Sequence, residues 1–110
     1  MIVAVIGSRD IDLKDVGKYI PRECMKLVSG GARGVDRAVR EYADKNGIPI
    51  DEILPNYARY QRRAPLVRNK EIVDRAEIVI AFWNGRSRGT KFVIDYCKKI
   101  GKPCVVHRFP

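Results

Sequence analysis

Long apolar segments are absent from this chain of 110 residues. A helix that crosses a membrane needs about 20 consecutive apolar residues, and the N-terminal apolar run, Ile2 to Ile6, is much shorter. Because no basic residues precede that run, it also lacks the pattern of a secretory signal peptide. The sequence therefore predicts a cytoplasmic protein without a membrane partner, and the run itself predicts a first strand.

Cysteine and histidine are scarce as well. The three cysteines, Cys24, Cys97 and Cys104, form no CxxC motif, and an odd number without a disulfide framework fits a reducing compartment. We expect Cys97 and Cys104 to be small core residues. His107 is the only histidine and has no evident partner in the sequence. The sequence therefore predicts no metal site and no bound cofactor.

Acidic residues are outnumbered, with 13 Asp and Glu against 22 Lys and Arg, which gives a formal net charge of +9. Such a charge favours anionic partners, among them nucleotides, nucleic acid and acidic proteins. A solubilising surface rich in ion pairs would have a similar composition. Because of where the arginines fall, we expect a nucleotide-type small molecule as the partner, with nucleic acid as the second class.

Short apolar runs alternate with helical patterns along the whole chain, so we expect a single domain over residues 1–110. This alternation predicts a small Rossmann-like α/β fold, a doubly wound parallel sheet of about five strands in the order 3-2-1-4-5. Domains of this kind pair through their helices, which makes a homodimer compatible with the sequence. The predicted strands cover residues 2–6, 25–29, 50–54, 77–83 and 103–107. The predicted helices cover residues 13–20, 35–46, 66–76 and 90–100, and residues 55–65 are expected to be irregular.

Three turns that contain glycine follow the first, second and fourth predicted strands: Gly7-Ser8-Arg9, residues 29–34 and residues 84–90. Ligands of a doubly wound sheet bind outside the carboxyl ends of its strands, where the strand order reverses, and all three turns reach that point. Glycine backbones and helix N-termini suit a phosphate, and arginine adds charged donors. The turns together predict a phosphate-binding site, although each alone is also explained as a tight turn that needs glycine.

Three other segments extend the predicted site. Arginines and tyrosines interleave over residues 56–63, where aromatic rings would stack on a base, or the segment is only a solvated basic loop. Arg68-Asn69 opens the next predicted helix, and Trp83, at the end of the fourth strand, would stack on a base or pack into the core. The predicted ligand-binding residues are Gly7, Ser8, Arg9, Ser29, Gly30, Gly31, Arg33, Gly34, Arg59, Tyr60, Arg68, Asn69, Trp83, Ser87, Arg88, Gly89 and Thr90.

The start of the chain, Val5-Ile6-Gly7-Ser8-Arg9, and the segment from Val28 to Asp36 resemble the SLOG superfamily of Rossmann-like proteins. That superfamily includes the Lonely Guy phosphoribohydrolases and DNA-processing protein A. The chain is most similar to the small YspA and cpYpsA-related branch. The resemblance implies a nucleotide or nucleotide-derived ligand, held by a sensor or processing domain. The pattern of that branch continues here as Arg59-Tyr60, Arg68-Asn69, Ala81-Phe82, Arg88-Gly89-Thr90 and Gly101-Lys102-Pro103.

The resemblance also raises two alternatives. Lonely Guy enzymes hydrolyse the N-glycosidic bond of nucleoside monophosphates with a glutamate that follows a PGGxGT motif. Here Gly89-Thr90 matches the end of that motif, but Val93 stands at the glutamate position. Asp36 is then the candidate catalytic carboxylate, unless it only complements the dipole of its helix. The resemblance to DNA-processing protein A implies single-stranded nucleic-acid binding instead.

Overall fold

The structure, a computed structural model, describes residues 1–109 and contains one parallel sheet. The strands lie in the order β3-β2-β1-β4-β5, and each neighbouring pair is parallel. The predicted fold class and strand order are therefore confirmed. The strands are β1 (Ile2–Gly7), β2 (Lys26–Ser29), β3 (Ile50–Glu52), β4 (Ile78–Trp83) and β5 (Cys104–Arg108).

Three helices of three turns or more cover the sheet, and one short helical turn lies beside them. Two of the long helices end in the left-handed glycine that is common at helix C-termini, Gly47 after the first and Gly101 after the last. The helices are α1 (Val35–Asn46), the single turn α2 (Tyr57–Tyr60), α3 (Ala64–Arg75) and α4 (Arg88–Ile100).

Residues 13–20 do not form the predicted α-helix. Only Val16–Tyr19 are helical, as a 3₁₀ turn, and Asp15 at its start makes no capping hydrogen bond. Gly17 in this turn is a poor helix former, and a Cβ there would lie 2.6 Å from the Tyr42 ring of α1. The buried residues that gave the helical pattern serve instead to pack an extended connection against α1.

The prediction that residues 55–65 are irregular is also wrong. The segment contains α2, a 3₁₀ turn over Gln61–Arg63 and the first residues of α3, which begins at Ala64. Pro65 lies in the first turn of α3, where a missing amide costs nothing because those amides have no acceptor inside the helix. The helix therefore begins two residues before the predicted start at residue 66.

Apolar side chains form one cluster on each face of the sheet. Successive strand residues point to opposite faces, so Val3 and Val5 join the cluster under α1, whereas Ala4 and Ile6 join the cluster under α3 and α4. Because α1 covers one face and the two later helices cover the other, the strand order reverses between β1 and β4. This reversal leaves a crevice at the carboxyl ends of those two strands, between the turns that follow them.

Cysteine and histidine, which are scarce in the sequence, pack in or beside the core. Cys97 is fully buried in α4 and its pKa is raised to about 12, chiefly by burial, whereas Cys104 is only partly buried beside the same cluster. The His107 ring stacks on Phe82, with ring centroids 5.3 Å apart. Within residues 1–109, no cluster of histidine, cysteine and carboxylate side chains is arranged to hold a metal ion. Over the same residues, none of the helices has the length and apolar character needed to cross a membrane.

Candidate functional site

A cavity of about 440 Å³ lies at the carboxyl ends of β1 and β4, where the strand order reverses. Its walls come from the turns after β1, β2 and β4 and from the sides of α3 and α4 that face these turns. The lining residues are Ile6, Gly7, Ser8, Arg9, Asp10, Gly30, Ala32, Asp36, Pro65, Arg68, Asn69, Ile72, Asn84, Ser87, Gly89, Thr90 and Val93.

The predicted ligand-binding residues divide between this lining and its surroundings. All three glycine-containing turns contribute to the lining, as does the start of α3, and the candidate carboxylate Asp36 lies there too. The predicted binding residues in the lining are Gly7, Ser8, Arg9, Gly30, Arg68, Asn69, Ser87, Gly89 and Thr90. The structure does not bring Ser29, Gly31, Arg33, Gly34, Arg59, Tyr60, Trp83 and Arg88 into it.

Several of the residues outside the lining have contacts of their own. The indole of Trp83 donates a hydrogen bond to the Ser87 carbonyl at 3.0 Å, and the Arg108 guanidinium lies over its ring. The Arg59 guanidinium lies over the ring of Tyr60 in α2. Arg33 and Arg88 are exposed. The lining arginines are therefore Arg9 and Arg68, whereas the other two arginines predicted in glycine-containing turns, Arg33 and Arg88, lie outside the lining.

Arg68 is the half-buried cation of the cavity. Its Nη1 donates to the Gly30 carbonyl at 2.9 Å and to the Ile53 carbonyl at 3.3 Å, and its Nε donates to Asn69 Oδ1 at 2.8 Å. Burial lowers the pKa of Arg68, and the nearby charge of Asp36 opposes that effect. A guanidinium stays protonated in proteins, so α3 holds a fixed positive charge against the turn after β2.

Asp36 is the buried carboxylate of the site, 8% exposed in the first turn of α1. Its Oδ2 accepts a hydrogen bond from Ala32 N at 3.1 Å. Burial raises the pKa of Asp36, while the Ala32 amide, the Arg68 charge and the Ser29 hydroxyl act in the opposite direction. That hydroxyl lies near the carboxylate, but the two groups are not placed for a hydrogen bond, and the buried Ser29 Oγ has no other partner within residues 1–109.

Gly30 lies between these two charges. A Cβ at this position would be 2.8 Å from Arg68 Nη1 and 3.0 Å from Asp36 Oδ2. A side chain at this position would force the end of Arg68 to shift, so the bare backbone lets both charged groups keep their positions against the turn. The absence of a side chain at Gly30 therefore allows the close approach of Arg68 and Asp36 as well as the turn itself.

The hydroxyl groups of the site already have structural partners. Ser8 Oγ accepts a hydrogen bond from Asn84 N at 3.2 Å, which joins the turns after β1 and β4. Ser87 is the N-cap of α4: its Oγ accepts from Thr90 N at 3.3 Å and donates to Thr90 Oγ1 at 3.2 Å. These serines fix the shape of the cavity, whichever group it holds.

The N-terminus of α1 is less well satisfied than that of α4. Its N-cap is Gly34, which offers no side-chain acceptor, and the first backbone hydrogen bond runs from Ala38 N to Gly34 O. The amides of residues 35–37 therefore have no acceptor inside the helix. Such amides, together with the positive end of the helix dipole, attract an anion.

Sequence reasoning missed several lining residues, among them Asp10 and Asn84. Asp10 Oδ1 accepts a hydrogen bond from Asn84 Nδ2 at 2.9 Å, and Asp10 Oδ2 lies 3.6 Å from Arg86 Nη2. The available signal was that Asn84 directly follows β4 and that Asp10 lies three residues after β1. Pro65 and Ile72 were also missed, although they stand one turn on either side of Arg68 and so share its face of α3.

The fold and the cavity together define a doubly wound α/β domain with a polar site at its topological switch point. Comparisons of the chain with models of known protein families, with curated proteins and with solved structures found no match. The resemblance to the SLOG superfamily therefore stays a prediction from motifs, and the chemistry of the site has to be argued from its geometry.

Proposed function

We propose that this domain binds a nucleotide, or a phosphorylated ligand derived from one, in the cavity at the carboxyl ends of β1 and β4. The observation that carries the proposal is the meeting there of three strand-to-helix turns, the buried Asp36 in the first turn of α1 and the half-buried Arg68. Ligands of doubly wound sheets bind at this position. The same domain would then act as a sensor or processing module for such a ligand.

The polar side of the cavity suits a phosphate. Arg9 is exposed and takes part in none of the ion pairs formed within residues 1–109, so its charge is available to a ligand. Arg68 adds a second charge at a fixed place, and the backbone of Gly7, Gly30 and Gly89 lies in the lining. Arginine forks and backbone amides are the groups that hold phosphates most often.

The lining also has an apolar part, formed by residues of the cluster under α3 and α4. Ile6, Ile72 and Val93 are buried residues whose edges reach the lining, and Pro65 stands beside them. A flat heterocyclic base packs against such a surface, whereas an inorganic anion gains nothing from it. The combination of an apolar wall and a cationic rim favours a nucleotide over a simple phosphate.

Calorimetric titration with nucleosides and nucleotides tests the proposal. We expect at least one nucleotide to bind and its nucleoside to bind far more weakly, because the phosphate contacts are lost. Arg9→Ala should weaken nucleotide binding about tenfold, the typical cost of a charge-assisted hydrogen bond. Arg22→Ala removes an exposed arginine far from the cavity lining and serves as the matched control.

The proposal fails if no nucleotide changes either the titration heat or the melting temperature of the domain. It also fails if Arg9→Ala and Arg22→Ala weaken binding equally, because the effect is then one of net charge and not of the cavity.

Hydrolysis of a nucleotide N-glycosidic bond is the second candidate function, and the burial of Asp36 in the cavity lining is the observation that favours it. A desolvated carboxylate beside a bound sugar stabilises positive charge at the reacting carbon. Asp36→Asn keeps an acceptor for the Ala32 amide and removes the charge. Release of free base from nucleoside monophosphates should be lost in this variant. Full activity in Asp36→Asn would exclude this role.

Nucleic acid is the alternative partner, favoured by the exposed face of residues 57–63. Tyr57 is 58% exposed there, and Arg59, Arg62 and Arg63 are exposed around it. Bases stack on tyrosine, while arginines take phosphates. Single strands bound in this way should dissociate steeply as salt rises, and Arg62→Ala with Arg63→Ala should flatten that dependence.

A further inference from the structure

A second cavity lies beside the candidate site. It has a volume of about 400 Å³ and is formed by the chain that follows β1 and by the first two turns of α1. Arg9 and Asp10 line both this cavity and the first one. The two cavities are therefore neighbours, on either side of these two residues.

The chemistry of the second cavity differs from that of the first. Asp12 and Glu41 contribute carboxylates, and Leu13 and Ala38 contribute apolar surface. Its additional cation, Arg37, donates through Nε to Glu41 Oε1 at 3.3 Å, so these two charges balance each other, and Asp12 forms no ion pair within residues 1–109. Carboxylates accept hydrogen bonds from hydroxyl groups and repel phosphates. Because its lining holds three carboxylates, Asp10, Asp12 and Glu41, against the two guanidinium groups of Arg9 and Arg37, this second cavity suits a hydroxyl-rich group better than a further phosphate.

Arg9 and Asp10, which form the boundary between the two cavities, are held in place by contacts with neighbouring turns. A Cβ on Gly34 would lie 2.5 Å from the carbonyl oxygen of Arg9, so the backbones of the two turns are in direct contact beneath the boundary. Asp10 is anchored by Asn84 and Arg86. A ligand that occupies both cavities has to pass over Arg9, and an anionic linker is what a free guanidinium stabilises there.

We propose that the ligand is a nucleotide whose phosphates carry a second, hydroxyl-rich group, as in a nucleoside diphosphate sugar. The nucleoside lies in the first cavity, the phosphates lie at Arg9 and the sugar lies in the second cavity. This inference rests on the proposed function and deepens it, because it names the part of the ligand that a simple nucleotide lacks.

Calorimetric titration of the full chain with matched pairs tests the inference: ADP and ADP-glucose, GDP and GDP-mannose, UDP and UDP-glucose. For the base that binds, the sugar conjugate should bind about tenfold more tightly than the parent diphosphate, the gain expected from hydroxyl groups bonded to carboxylates. The double variant Asp12→Asn, Glu41→Gln should lose most of this preference and keep the affinity for the parent.

A matched control and a second variant separate the sugar site from a general effect. Glu71→Gln removes an exposed glutamate that pairs with Arg75 as Glu41 pairs with Arg37, but outside both cavities, and should leave the preference intact. Ala38→Trp places an indole in the second cavity and should abolish the preference by occlusion. Melting curves check that each variant is folded. If Ala38→Trp does not fold, the double variant Asp12→Asn, Glu41→Gln alone decides whether the second cavity is the sugar site.

The outcomes distinguish the two proposals. If a parent diphosphate binds as tightly as its sugar conjugate in the unaltered protein, the second cavity is not a ligand site and the inference is overturned, while the proposed function stands. If the second-cavity variants weaken both ligands equally, the inference is likewise overturned. If no nucleotide binds at all, both proposals fall together.

Discussion

Two strand-to-helix turns at the carboxyl end of the sheet contain glycine, yet their backbone amides find hydrogen-bond acceptors in different ways. In the turn after β4, Asn84 Oδ1 accepts hydrogen bonds from Arg86 N and Ser87 N, and Ser87 Oγ caps the start of α4. In the turn after β2, Gly34 precedes α1 and no side chain caps the helix. The first, the closed turn, is held by its own side chains. In the second, the open turn, Ala32 N donates to Asp36, but the first amides of α1 have no side-chain acceptor.

The open turn depends on its neighbours for its shape. Gly34 rests against the Arg9 backbone, and Gly30 is flanked by Arg68 from α3 and Asp36 from α1. Backbone amides near the surface are costly to leave unpaired and are normally satisfied by protein, water or a ligand. This difference supports placing the phosphate of the proposed ligand on the α1 side of the cavity.

The largest effect on the free energy of unfolding should follow from adding a methyl group at Gly34, where the open turn touches the backbone of Arg9. Gly34 has φ +74° and ψ −124°, a conformation that residues with a Cβ rarely adopt, and the new methyl group would meet the Arg9 carbonyl. Gly34→Ala should therefore cost about 3 kcal/mol or more of unfolding free energy, measured by urea denaturation.

Gly89→Ala is the matched change in the closed turn. Gly89 lies in the first turn of α4, and the nearest atom to a Cβ there, Asn69 Nδ2, is 3.9 Å away. Alanine is also the better helix former, so we expect stability to be unchanged or raised by up to about 1 kcal/mol. Equal destabilisation by the two variants would show that the two turns do not differ in the way described.

A smaller effect should come from removing the cap of the closed turn. Ser87→Ala deletes the acceptor for Thr90 N and should lower the unfolding free energy by about 1 kcal/mol. Ser29→Ala in the open turn removes a buried hydroxyl that has no hydrogen-bond partner, so it should cost much less. A larger loss in Ser29→Ala than in Ser87→Ala would mean that the Ser29 hydroxyl is bonded in solution.

Much of the fold could be predicted because its signals are local. The central strands are short apolar runs, and Gly47 and Gly101 end their helices at the positions that a left-handed residue requires. The errors arose where one residue type has two roles. Pro65 breaks a helix in its interior but is accepted in its first turn, and apolar residues between 11 and 20 pack an irregular segment with helical spacing.

The site could be predicted only in outline. The turns that line the cavity follow from the strand order, but the partners of Arg68 do not, because Gly30 and Ile53 lie 38 and 15 residues away along the chain. Arg33 and Arg88 lie in turns that contain glycine, as Arg9 does, and nothing in the sequence of these turns fixes which side chain faces the cavity. Asp10 was overlooked because its anchor, Asn84, belongs to a distant turn.

The smallest expected effect is a dependence of stability on pH. It should arise from Asp36, which lies beside the open turn and has no counterpart at the closed turn. Burial raises the pKa of Asp36 above its ordinary value of 3.8. The folded protein then holds this proton more tightly than the unfolded chain, so the contribution of Asp36 to stability is greatest below 3.8 and is lost as pH rises through the folded pKa. Other carboxylates titrate in the same range, so the effect has to be isolated by difference.

Asp36→Asn provides that difference, because it keeps the Ala32 hydrogen bond and cannot ionise. The unfolding free energy of the native protein minus that of Asp36→Asn should fall as pH rises from below 3.8 and then level off. An anion bound beside Asp36 further favours the protonated acid, so nucleotide affinity should fall with rising pH in the native protein and be flatter in the variant. A difference that rises with pH would show that the charge of Arg68 outweighs burial, and that the open turn is built around an ion pair and not around a desolvated acid.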